Sequence, residues 1–163
     1  MRREFPAAPL VGVGAVIVHD GCVLLARRGN PPMQGHWTLP GGALELGETL
    51  LDGVVREVRE ETGLVVEPIE LVELLDRIHR VDDRIQFHYV IADYLCRVRG
   101  GSLQASSDAD AVRWVKRSEW SGPGAQAAEL DLDPITVRVI EKGWQRAHWL
   151  WPHLPEGHLP EER

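Results

Sequence analysis

The stretch GALELGETLLDGVVREVREETGL, residues 42–64, decides how this chain is read. Inside it, Arg56, Glu57, Val58, Glu60, Glu61 and Gly63 spell R-E-V-x-E-E-x-G. On a helix, Glu57, Glu60 and Glu61 stand at i, i+3 and i+4, so their carboxylates share one face. Three like charges that close repel one another. Two of them also lie near the helix C-terminus, where the macrodipole disfavours anions. A sequence that breaks local rules this openly gains something elsewhere. One or more hard divalent cations would supply the gain, and oxygen donors of this kind suit magnesium or manganese.

The flanks of the stretch frame a helix. Thr49 is a good N-cap, and Asp52 three residues on partly imitates a capping box. Leu51, Val54, Val55 and Val58 recur at helical spacing and make a core-facing stripe, with the acidic face beside it. Gly63 sits where a C′ glycine belongs. The spacing predicts a helix over residues 50–62. Gly53 lies one turn before Glu57 on the acidic face. Its missing side chain either leaves room for metal or phosphate or allows close packing.

Outward from the helix, the pattern turns to strands. Residues 10–19 (LVGVGAVIVH) and 22–28 (CVLLARR) are apolar or β-branched runs, and Asp20-Gly21 between them is a hairpin turn. Residues 29–36 form a loop by composition, and 37–39 a short strand ended by Pro40-Gly41-Gly42. Beyond the helix, 64–75, 84–98 and 112–115 read as strands. Residues 134–149 read as a second helix, with Asp133 as cap and Pro134 at N1. There is no internal repeat and no long linker. The succession predicts an α+β fold: a mixed sheet with a helix on each side. Residues 1–10 are expected to be an N-terminal extension, 11–149 a single domain, and 150–163 a Pro- and Glu-rich C-terminal tail.

The bulk numbers narrow the function. A chain of 163 residues suits one domain with a real core. No apolar run reaches membrane-spanning length, so no membrane partner is expected. The start, MRREFPAAPL, is too short and too broken by proline for a signal peptide. The two cysteines, Cys22 and Cys96, sit in apolar runs and read as buried free thiols of a reducing cytosol, which points to a cytoplasmic protein. A formal net charge of -7 and a pI near 5.5 argue against binding polymeric nucleic acid. A small anionic substrate would need a local device against repulsion, such as a metal ion or a few arginines.

Gly42, Glu48, Arg56-Glu57-Val58, Glu60-Glu61 and Gly63-Leu64 together match the signature of the Nudix hydrolases at nine positions over 23 residues. Trp37-x-Leu-Pro-Gly-Gly ahead of it also resembles the family. The resemblance implies a Nudix-type α/β/α sandwich. It implies Mg²⁺- or Mn²⁺-dependent hydrolysis of a nucleoside diphosphate linked to another group. By the same resemblance, Glu57, Glu60 and Glu61 hold the metal with the Gly41 carbonyl. Arg56, on a different side of the helix from the metal cluster, orients a glutamate, with Glu48 its plausible partner. The bottom-up chemistry agrees, since pyrophosphate hydrolysis needs charge neutralisation and an aligned, activated water.

Further candidates lie outside the signature. Arg27 and Arg28 end a strand and face opposite ways; one of the two meets a phosphate, or the pair is surface charge. His36 is placed at the substrate entrance, or is a loop histidine without a role. Trp37 stacks on a base or packs under its loop, whereas Trp114, Trp120, Trp144, Trp149 and Trp151 read as core or interface. Many Nudix enzymes recruit a later acid. Asp108 and Asp110 are the candidates here, although relatives carry the acid at the position of Ala111. The segments around Arg28-Gly29-Asn30-Pro31-Pro32 and 87–96 resemble the ADP-ribose pyrophosphatase-like subgroup. A proline common to ADP-ribose hydrolases is missing from 78–81. The expected substrate is ADP-ribose or a similar nucleoside diphosphate sugar. The alternatives are a nucleoside triphosphate pyrophosphohydrolase of housecleaning type and a non-catalytic nucleotide-binding module. The strand pair at 77–98 and the Trp-rich C-terminal region are candidate homodimer surfaces.

Overall fold

The computed structural model describes residues 3–31, 33–105, 109–121 and 130–153, with the backbone alone for 109 and 110. Strands β1 (Leu10–His19) and β2 (Cys22–Arg28) form a hairpin through Asp20 and Gly21. Both turn residues have positive φ, 46° and 73°, as a two-residue turn matched to strand twist requires. Strand β3 (Trp37–Thr38) pairs with β2, and β4 (Gly41–Ala43) pairs with β1. Helix α1 is Leu50–Thr62. Strands β5 (Leu64–Val81) and β6 (Arg84–Gly101) make one long antiparallel ribbon, and β7 (Ala109–Lys116) returns to β2. Two helices close the order, the short α2 (Arg117–Trp120) and α3 (Pro134–Leu150).

The sheet runs β3-β2-β1-β6-β5, with β4 on β1 and β7 on β2, and β1 lies parallel to β6. It is therefore mixed, and β1 is covered on both faces. Alternation along β1 sends its side chains to opposite sides. Val13, Ala15 and Ile17 pack with Val54 and Val58 of α1. Val16 and Val18 pack with Val139, Ile140 and Trp144 of α3. The α+β sandwich expected from the sequence is the architecture observed.

Several local expectations hold. Thr49 caps α1, its hydroxyl accepting from the Asp52 N–H at 3.2 Å, and Gly63 ends the helix at φ 74°. Asp133 caps α3 by accepting from the Ile135 and Thr136 N–H groups. Cys22 and Cys96 are buried and neither is in a disulfide, and burial pushes the Cys96 thiol up to about 12. Trp120 and Trp144 meet edge to face in the core.

Others need correction. Leu51 is 50% exposed, so it is no part of the core stripe. The buried line instead runs through Val54, Val58 and Thr62, one i+4 row, with Leu50 packed beside it. Gly41 and Gly42 do not end a strand. They belong to β4, held by β1 across Gly14 and Val13. Strand β5 continues past residue 75 to Val81. That extension is mostly exposed and carries no apolar signal, but β6 satisfies its backbone across Asp82 and Asp83, both at positive φ. Trp149 is exposed. Residues 154–163 of the expected tail lie outside the described residues.

Candidate functional site

Helix α1 and strand β4 build the site between them. The last two turns of α1 carry Arg56, Glu57, Glu60 and Glu61, while β4 sets a side-chain-free rim against them. The Gly41 N–H donates to Glu61 Oε2 at 2.9 Å. A Cβ on Gly42 would lie 2.5 Å from the Glu57 carboxylate, so glycine there is what admits that carboxylate. Gly53 resolves to close packing: a Cβ there would meet Leu44 at 2.8 Å and Glu48 at 3.1 Å.

Arg56 organises the acids. Its Nε and Nη2 donate to the two oxygens of Glu48 at 2.7 and 2.9 Å. Nη1 donates to Glu57 Oε1 at 2.9 Å and to Glu60 Oε2 at 3.1 Å. Nη2 also reaches the Ala43 carbonyl, at 3.1 Å. The expectation that Arg56 points away from the metal cluster is thus corrected. The side chain is long enough to bend back over its neighbour Glu57 and the next turn, so the guanidinium sits among the carboxylates. Hydrogen bonding from Arg56 holds Glu48 below the usual carboxylate range. Burial pushes Glu57 above it, against the pull of Arg56.

Among the described residues, no three His, Cys, Asp or Glu side chains already converge as a metal cage. Arg56 engages Glu57 and Glu60 through one nitrogen, and the Gly41 N–H engages Glu61. The donor chemistry nevertheless fits a hard cation. Glu57, Glu60, Glu61, Gly41 and Gly42 line one cavity of about 630 Å³, with Arg28 on its wall. Magnesium keeps several waters and takes only one or two carboxylates besides substrate phosphate, so a closed cage is not required.

A second cavity of about 680 Å³ adjoins the first and shares Arg3, Arg28, Gly41, Gly42 and Ala43 with it. Its walls are largely apolar: Leu39, Ile91, Phe87, Tyr89 and, from α3, Ile135 and Val139. β1 contributes Gly12 and Gly14 on that side, and the missing side chains open the space.

The remaining candidates separate. Arg28 lines both cavities, while Arg27 lines neither and lies over the Trp37 ring at 5.9 Å. Trp37 packs against the α3-side core. His36 pairs through Nδ1 with Asp131 Oδ2 at 2.8 Å and faces neither cavity. Asp108 lies outside the described residues, as does the Asp110 side chain. Sequence reasoning missed Asp93 and Arg77, which line the apolar cavity. A lone acid inside the apolar run VIADYLC, register-paired with Gly14, was the available sign of Asp93.

The NUDIX domain model matches residues 8–138. An "ADP-ribose pyrophosphatase" of Methanocaldococcus jannaschii is 40% identical over 101 residues, 62% of this chain and 58% of that protein. A "MutT-like protein" of Streptomyces ambofaciens is 38% identical over 133 residues, 80% of each. The crystal structure of a MutT NUDIX hydrolase from Burkholderia pseudomallei superposes with a TM-score of 0.67 at 30% identity, over 83% of this chain and 98% of that one. The chain belongs to the NUDIX family. It spans 58% of the length of the archaeal relative. No helix among the described residues is long and apolar enough to cross a membrane.

Proposed function

We propose that this chain is a pyrophosphohydrolase that cleaves ADP-ribose, or a similar nucleoside diphosphate sugar, to a nucleoside monophosphate and a sugar phosphate. The observation that carries this reading is the shared rim. An acidic, oxygen-lined cavity and an apolar cavity of nucleoside size meet along Gly41, Gly42 and Ala43, with Arg28 facing both. That arrangement suits a pyrophosphate in one chamber and a nucleoside in the other.

Glu57, Glu60 and Glu61 are the proposed holders of Mg²⁺ or Mn²⁺, with the Gly41 carbonyl. Such an ion supplies charge neutralisation on phosphate oxygens and an activated water. Arg56 positions the acids: it fixes Glu48 with two hydrogen bonds and bridges Glu57 and Glu60 through Nη1. Arg28 neutralises a substrate phosphate. The buried setting of Glu57 raises its basicity and strengthens it as a donor to a cation. The archaeal relative named for ADP-ribose supports the substrate.

A second reading is a nucleoside triphosphate pyrophosphohydrolase, favoured by the MutT-like relative matched over 80% of both chains. A magnesium-dependent hydrolysis panel with products identified by mass separates them. AMP and ribose 5-phosphate from ADP-ribose as the fastest reaction supports the first reading. Nucleoside monophosphate and pyrophosphate from a triphosphate replaces it with the second. A cytosolic setting is proposed on the two buried cysteines, neither in a disulfide. A homodimer is proposed on the exposed Leu71, Leu74 and Ile78 of β5, and sedimentation reads the mass directly.

A further inference from the structure

Among the polar groups that line the apolar cavity and that the chemistry above does not use, Asp93 stands out. Phe87, Tyr89, Ile91 and Asp93 occupy alternate positions of β6 and line the same cavity. Asp93 is only 6% exposed. Its carboxyl accepts no hydrogen bond from any described residue, and only the more distant charges of Arg77 and Glu73 act on it. It is tucked where Gly14 has no side chain: a Cβ there would lie 2.0 Å from Asp93 Oδ1. Arg77, the nearest cation, is already engaged, donating to Asp133 at 2.8 and 3.3 Å and to the Thr136 hydroxyl at 2.9 Å.

A buried carboxyl without a partner is costly, and chains keep such groups where a ligand completes them. An N–H donor on a flat, stackable ligand would complete this one, since Phe87, Tyr89, Ile91 and Val139 give the cavity aromatic and aliphatic surface. Adenine meets the description: it is flat and stackable and presents a 6-amino donor beside its ring-nitrogen acceptors. Guanine would offer Asp93 its N1–H and 2-amino group instead; adenine is the base of the substrate proposed above, and the guanine pair in the test separates the two.

We infer that Asp93 is a specificity-determining residue, accepting a hydrogen bond from the 6-amino group of a substrate adenine seated in this cavity against Phe87, Tyr89 and Ile91. This rests on the reading of the apolar cavity as the nucleoside chamber. Gly14 is then part of the same device, since any side chain there would push Asp93 out of place.

The test compares ligands that differ by one amino group. Affinities of AMP and purine riboside 5′-monophosphate are measured by calorimetry, with GMP and IMP as the second pair. The proteins are the parent chain, Asp93→Ala and Asp93→Asn, each checked by thermal melting. The parent is expected to bind AMP about tenfold or more tightly than its deamino counterpart. Asp93→Ala should level that preference to within about twofold, and Asp93→Asn, which keeps an acceptor, should retain it. With ADP-ribose as substrate, Asp93→Ala should raise KM and leave kcat near the parent value. Equal AMP preference in the parent and Asp93→Ala overturns the inference. So does discrimination confined to the guanine pair. A parent that discriminates AMP as expected but hydrolyses no ADP-ribose sinks the proposed reaction while supporting the role of Asp93.

Discussion

Arg56 and Glu48 form a two-pronged ion pair across a separation of eight residues, Nε to Oε1 at 2.7 Å and Nη2 to Oε2 at 2.9 Å. The pair joins α1 to the loop that precedes it, and the same guanidinium spans Glu57, Glu60 and the Ala43 carbonyl. A lysine has a single ammonium and cannot reproduce that fork. Arg56→Lys should therefore fold but turn over about 10- to 100-fold more slowly, the usual cost of losing a group that orients metal ligands. Steady-state kinetics beside circular dichroism reads both. Parent-like kcat would show that the acids hold their places without the fork.

Glu57→Gln and Glu61→Gln should each cut turnover by about 10²-fold or more while leaving the melting temperature within a few degrees of the parent. Glu57 is already disfavoured as an anion by its burial, so neutralising it relieves the fold. Chelating divalent ions from the parent should abolish activity, and restoring Mg²⁺ or Mn²⁺ should recover it. Full activity in both variants would refute the metal assignment.

The two faces of α1 can be told apart by one substitution on each. Val58 is wholly buried and Leu51 is half exposed. Val58→Asp places a charge in the core and should destabilise by about 3 kcal/mol or more. That is a fall of roughly 6 to 12 °C for a chain of this size. Leu51→Asp should change stability by about 0.5 kcal/mol or less. Thermal melts of the two variants side by side decide whether the buried row is assigned correctly.

Asp93 should make stability depend on pH. Burial pushes its carboxyl up from the ordinary 3.8 to about 7, with Arg77 opposing and Glu73 adding to the rise. Between those values the folded chain holds a proton that the unfolded chain has released. The contribution is complete below 3.8 and is lost as pH rises through about 7. Asparagine at this position does not titrate. Asp93→Asn should melt above the parent at pH 8, and the gap should close toward pH 4. The difference at pH 8 is on the order of 1 to 4 kcal/mol. A gap that stays constant across that range would mean that the carboxyl ionises without penalty.

Much of the fold was legible because it is encoded locally. Thr49, Gly63 and Asp133 mark helix ends through hydrogen bonds and a backbone angle that depend only on near neighbours. Asp20-Gly21 marks a hairpin for the same reason. The limits of β5 were not legible. Its outer third, Asp76 to Val81, is held by the facing residues of β6 and carries no periodicity of its own. β4 was hidden too, since two glycines read as a turn until β1 pairs with them. Leu51 was misassigned because helical spacing alone leaves the centre of a buried row uncertain by one position. The packing of α1 on the sheet sets that centre.

For the site, the chain by itself determined the acidic face. Glu57, Glu60 and Glu61 lie within one helical turn, and helix geometry fixes their common side whatever surrounds them. Glu48 and Arg56 were also readable as a pair. Only the tertiary structure decided that Arg56 bridges three glutamates and that Gly41 and Gly42 form the rim. It alone brought Gly14 of β1, Asp93 of β6 and Val139 of α3 to one cavity. Those residues meet because β1 lies parallel to β6 under α3. Contacts between residues so distant in sequence arise from sheet register and layer packing, which no local pattern records.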